Sequence, residues 1–77
     1  MKQFNWDINR GLNERDQRII ELVTRGLTNE EVGLEIGHTK FTVKNYMKEI
    51  YDKLGLSNRV ELALWYAAQQ HQKEDSR

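Results

Sequence analysis

The 77-residue chain has no cysteine and no proline. Without thiols it has neither a disulfide framework nor a thiolate metal site, which suits the reducing cytoplasm, where we expect it to reside. No apolar run approaches the roughly 20 residues that cross a bilayer, so no membrane partner is expected. Residues 1–6 lack the apolar stretch of a secretory leader. Alternating β-branched stretches are scarce, and Gly11, Gly26, Gly33, Gly37 and Gly55 fall mostly where helices would stop. With proline missing as well, this predicts an all-α bundle. A chain this short makes one small domain, near the lower limit for a core held by apolar burial alone.

Net charge is missing too: 12 basic side chains balance 12 acidic ones. The distribution is uneven. Residues 1–39 carry a net −2, residues 40–59 a net +3 from Lys40, Lys44, Lys48, Lys53 and Arg59 against Glu49 and Asp52, and residues 60–77 a net −1. Phosphates respond to the local field, so the basic segment matters more than the sum. Overall neutrality still predicts modest non-specific affinity that salt weakens readily.

What is present is a set of helix-opening signals. Helix one opens at Asn13 with Asp16 as capping-box partner, presents Ile19, Ile20, Val23 and Leu27 to the core with Leu12 at its entry, and stops at Gly26. Helix two opens on the box Thr28/Glu31, faces Val32 and Ile36 inward, and stops at Gly37; Gly33 inside it should admit a neighbouring helix. Helix three, capped by Thr39, runs to about Leu54 with Val43, Met47, Ile50 and Leu54 as its buried seam and Gly55 as its stop. Helix four opens at Ser57 and continues to about Gln70, with more apolar area than one buried face needs. Residues 1–11 read as an arm that docks Phe4, Trp6 and Ile8 or, on the strength of Lys2 and Arg10 alone, touches DNA or a partner; residues 12–70 read as the domain, and residues 71–77 as a flexible charged tail.

Helices two and three are separated only by Gly37-His38, the layout of a helix-turn-helix. The second of them bears Lys40, Lys44 and Lys48 at i, i+4 and i+8, a cationic edge suited to the major groove of double-stranded DNA. A charge row is ordinarily a solvated face; this one lies on the helix where a groove reader needs it. Lys44 and Lys48 can donate to guanine O6 and N7 or to phosphate, and Asn45 can pair with adenine N6 and N7. Glu49 should pair locally with Lys48. His38 and His71 are isolated from any second ligand, so no metal, cofactor, small-molecule ligand or enzymatic activity is expected. Asp16 reads as structural, tied through an exposed pair to Arg59 or Lys53. Because a helix cannot bury neighbours equally, Trp65 is assigned to a partner contact and Tyr66 to helix one.

Over residues 12–67 the chain resembles the LuxR/GerE-type helix-turn-helix domain, which closes many bacterial response regulators and quorum-sensing receptors. The matching words are Leu12-x-x-Arg15-Asp16, Gly26-Leu27-Thr28-Asn29-x-Glu31-Val32, Thr39-x-x-Thr42-Val43-Lys44, Ile50-x-x-Lys53-Leu54-Gly55-Leu56 and Arg59-x-x-x-Ala63. The resemblance implies a four-helix, all-α domain whose third helix reads DNA and whose fourth forms a homodimer. It carries base or nearby phosphate contacts to Lys44, Asn45 and Lys48, a phosphate contact to Thr42, and backbone N–H donation to phosphate at Thr28 and Asn29. Dimer contacts fall on Val60, Leu64, Trp65 and Ala68. Arg18, Glu30, Gly33, His38 and Tyr46 depart from the family pattern, where an acid, lysine, alanine, an aliphatic residue and histidine are usual; Glu30 removes a phosphate contact, and His38 weakens the packing of the turn. The receiver or ligand-binding domain usually attached to the module has no counterpart in these residues; we expect either a free-standing regulator of transcription or a fragment whose remaining part controls it. The alternative is an interaction module that pairs through helix four with regulators of the same family and antagonises them.

Overall fold

Four helices follow one another in the computed structural model, which describes residues 11–75, with side chains to Gln69. They are α1 (Glu14–Thr24), α2 (Asn29–Ile36), α3 (Lys40–Leu54) and α4 (Arg59–Asp75), and among the described residues there is no strand. The docking expected of Phe4, Trp6 and Ile8 falls outside the described residues.

Local chemistry sets the first three helix starts. Asn13 Oδ1 accepts from the Asp16 N–H at 2.8 Å while Asp16 Oδ2 accepts from the Asn13 N–H at 3.3 Å. Thr28 and Glu31 close the same reciprocal box on α2, and Thr39 Oγ1 takes the Thr42 N–H at 3.2 Å on α3. Each cap satisfies an amide that the helix itself leaves unpaired, worth about 1 kcal/mol. Gly37, at φ 80°, turns the chain out of α2 in the left-handed conformation that glycine adopts without steric penalty.

Helix α4 departs from expectation at both ends. Asn58, not Ser57, supplies the cap: its Oδ1 accepts from the Glu61 N–H at 2.9 Å, while the Ser57 N–H donates to Glu61 Oε1 at 2.7 Å. The helix then runs to Asp75 instead of ending near Gln70. No glycine or proline interrupts those last residues, which are largely good helix formers.

The core joins Leu12, Ile19, Ile20, Leu22 and Val23 to Val32, to the α3 seam Val43, Met47, Ile50 and Leu54, and to Leu62 of α4. Trp65 and Tyr66 are both half-buried and both pack against it, so neither is wholly turned outward. At 100° per residue they flank Leu62 at about −60° and +40°, which lets adjacent residues share one buried face. Gly33 also has a different role from the one expected. A Cβ there would run into the carbonyl oxygen of His38, so the glycine admits the turn's own backbone rather than another helix.

Asp16 is fully buried, which corrects the expectation of an exposed pair. Lys53 Nζ lies 2.6 Å from its Oδ2, and Arg15 Nη2 lies 3.4 Å from Oδ1. One carboxylate thus caps α1 and fastens it to the C-terminal end of α3.

Candidate nucleic-acid interface

Helix α3 presents two faces. Val43, Met47, Ile50 and Leu54 are buried, whereas Lys40, Phe41, Lys44, Asn45 and Lys48 are exposed and Thr42 is half-buried. Among the described residues the ion pairs engage Arg15, Arg18 and Lys53, so the amines of Lys40, Lys44 and Lys48 meet no carboxylate. Glu49 does not pair with Lys48; it turns toward Arg15 Nη2 at 3.5 Å. The outer edge of α3 therefore keeps its donors available, as the spacing of its lysines suggested.

A cleft of about 480 Å³ runs along this edge, lined by Lys44, Asn45 and Lys48 of α3, Asn29 of α2 and Arg59 of α4 among others. A second hollow brings Thr28, Asn29 and Lys40 together with Arg59, and with Glu30. Asn29 and Arg59 line both, so the two hollows adjoin across three helices, with Met47 and Tyr51 adding apolar surface to the first. Their donors are ammonium, amide and guanidinium groups, the types that bind phosphate oxygens and base edges.

Arg59 was missed in the sequence as a member of this surface. It was visible as part of the basic segment, but its position depends on the α3–α4 turn, where Gly55 adopts φ 72° and the Leu56 N–H donates to the Tyr51 carbonyl at 2.9 Å. Burial pushes the Tyr51 hydroxyl above its ordinary pKa, and the Arg59 guanidinium draws it part of the way back. Asn29 Oδ1 is buried with no hydrogen-bond partner among the described residues.

Thr28 is less available than expected. Its N–H already donates to Glu31 Oε1 at 2.9 Å and its hydroxyl accepts from the Glu31 N–H at 3.2 Å. The α2 start therefore carries its own acid, with Glu30 beside it, and the neighbouring Asn29 is the member that faces both hollows.

Three departures from the family pattern meet partners. The His38 ring stands edge-on to Tyr46, centroids 5.4 Å apart, and the Arg15 guanidinium lies 3.8 Å from the centre of the same tyrosine ring. The turn thus carries an aromatic contact backed by a guanidinium. Arg18 Nη2 lies 3.6 Å from Glu35 Oε1, an exposed pair across α1 and α2 worth about 0–1 kcal/mol.

On α4, Val60 and Leu64 are 68% and 65% exposed, and Ala68 is exposed at the next helical position. These three form one stripe. Trp65, also expected at a partner contact, is half-buried and packs in part against the core.

Residues 10–66 match the family model described as bacterial regulatory proteins, luxR family. The chain is 40% identical over 53 residues to the two-component response regulator PprB of Pseudomonas aeruginosa, covering 69% of this chain and 19% of that protein. It is 36% identical over 59 residues to the nitrate/nitrite response regulator protein NarL of Escherichia coli K12, covering 77% and 27%. To the DNA-binding transcriptional activator DevR/DosR of Mycobacterium tuberculosis it is 31% identical over 55 residues, covering 71% and 25%. The matched region thus spans about a quarter or less of each of these relatives. No solved structure matches the chain significantly. No helix among the described residues is long and apolar enough to cross a membrane.

Proposed function

The chain belongs to the luxR family of bacterial regulatory proteins, and on that premise we propose that it is a sequence-specific DNA-binding regulator of transcription acting as a homodimer. The observation that carries the reading is the outer edge of α3, where Lys40, Lys44 and Lys48 stand without carboxylate partners among the described residues and Asn45 lies between them. The similarity to DevR/DosR, a DNA-binding transcriptional activator, supports carrying the function across. In this reading α3 enters the major groove. Lys44, Asn45 and Lys48 address base edges or adjacent phosphates, while Lys40 and Thr42 hold phosphate. Asn29 grips a further phosphate in place of Thr28, whose N–H is taken by Glu31, and Arg59 joins it across the cleft.

The exposed stripe Val60, Leu64 and Ala68 supports pairing through α4, with two α3 helices in major grooves about 34 Å apart. The same stripe favours the second reading, hetero-pairing with family members that it would antagonise. Selection of bound duplexes from a random pool, followed by titration over a salt series, separates the two. A recovered two-half-site sequence bound with a steep salt slope supports the regulator. No binding at low salt, together with tight pairing to a relative, supports the antagonist. Leu64→Asp should lower occupancy of the two-half-site duplex while leaving the melting temperature unchanged; unaltered occupancy would remove α4 from the dimer.

A further inference from the structure

We propose that Phe41 is a specificity-determining residue that reads the C5-methyl group of a thymine, an inference that rests on the DNA-reading role of α3 given above. Phe41 is the second residue of α3 and is 69% exposed. It contributes nothing to the core, to which α3 supplies Val43, Met47, Ile50 and Leu54. At 100° per residue, Phe41, Asn45 and Lys48 fall at i, i+4 and i+7 on one line, opposite that seam. An aromatic ring therefore heads a row whose other members are an amide and an ammonium. Lys40 Nζ stands over the ring, 5.4 Å from its centroid, and most of the side chain stays exposed at the leading end of the helix.

The first residues of a groove-reading helix are those that reach base edges. Among the four bases only thymine offers an apolar group in the major groove, its methyl, and phenylalanine is a side chain suited to it. The helical rise separates Phe41 from Asn45 by about 6 Å. The thymine should then lie within about two base-pair steps of the adenine addressed by Asn45. Lysine and asparagine alone could not distinguish thymine from uracil, because both present the same hydrogen-bonding edge.

The test uses the full 77-residue chain and a duplex selected from a random pool, with each thymine exchanged singly for deoxyuridine, which removes the methyl and nothing else. One position per half-site should bind about fourfold more weakly, the effect of about one buried methyl group. Phe41→Ala should bind the parent duplex more weakly, ignore the exchange at that position, and melt as the parent protein does. If no exchange alters affinity, or if Phe41→Ala keeps the parent's sensitivity, the inference is overturned while DNA reading by Lys44, Asn45 and Lys48 stands. Loss of self-association in Phe41→Ala with methyl sensitivity retained assigns the ring to a protein contact and also overturns it. Failure to select any sequence removes the DNA reading itself, and the inference with it.

Discussion

On the α1 side of α3, Lys53 Nζ lies 2.6 Å from a fully buried carboxylate, whereas on the outer side Lys40, Lys44 and Lys48 meet none among the described residues. Lysines of one helix thus divide between two tasks. The Lys53 charge is paired in holding α1 to α3, and the other three face solvent without a carboxylate among the described residues. Glu49 follows the same division, since it turns toward Arg15 and away from Lys48. Adding charges along residues 40–59 therefore misjudges the surface in detail, because Lys53 counts toward the total without facing the cleft. The cations that line the two hollows are Lys40, Lys44, Lys48 and Arg59.

The contrast can be broken at its inner end first. Asp16→Ala removes the α1 capping partner and leaves Lys53 unpaired, and should lower stability by about 3 kcal/mol, read as the shift in a urea unfolding midpoint. That is the low end for a broken buried pair, because the lysine can still reach water. At the outer end, Lys48→Ala and Asn45→Ala should each weaken binding to a selected duplex by about 1–3 kcal/mol and relax preference at one base position, with little change in stability. A loss spread evenly over all sequences would mark them as phosphate contacts only. Lys53→Ala should do the reverse, lowering the unfolding midpoint and sparing affinity wherever the protein is folded.

Arg59→Ala sharpens the comparison across helices. It should weaken binding to all sequences alike and reduce the salt slope by about 1, measured by titration at several salt concentrations. The smallest effect is in pH. Burial raises the Tyr66 hydroxyl above its ordinary value, with Glu21 adding to the rise and Arg25 opposing it. The folded state then holds a proton that the unfolded state gives up more easily, so this contribution to stability is whole below about pH 10 and declines as pH rises further. Unfolding midpoints at pH 9 and pH 11 should differ less in Tyr66→Phe than in the parent.

Most of the helical frame was legible because the signals for it are local. Asn13 with Asp16, Thr28 with Glu31, and Thr39 each satisfy amides within three residues, and the α3 seam follows from spacing alone. The α4 start was not legible, since Ser57 and Asn58 are both good caps and Glu61 reaches back to serve the former while the latter serves Glu61. The burial of Asp16 and its choice of Lys53 over Arg59 depend on how α1 crosses α3, which no local rule states. The placing of Arg59 beside Lys44 and Asn29 is a property of the α3–α4 turn. His38 and Tyr46, taken singly, read as departures; their contact emerges only when the turn closes on α3.

The most direct test of the outward-facing α3 edge is a titration of isotope-labelled protein with a selected duplex, followed by amide and lysine side-chain resonances. The largest shifts should fall on Lys40, Lys44, Asn45 and Lys48, with Asn29 and Arg59 next, while Lys53 and the Asp16 region stay nearly still. Shifts concentrated on α1 or on the inner side of α3, with the outer edge unmoved at saturation, would contradict the assignment of that edge to DNA.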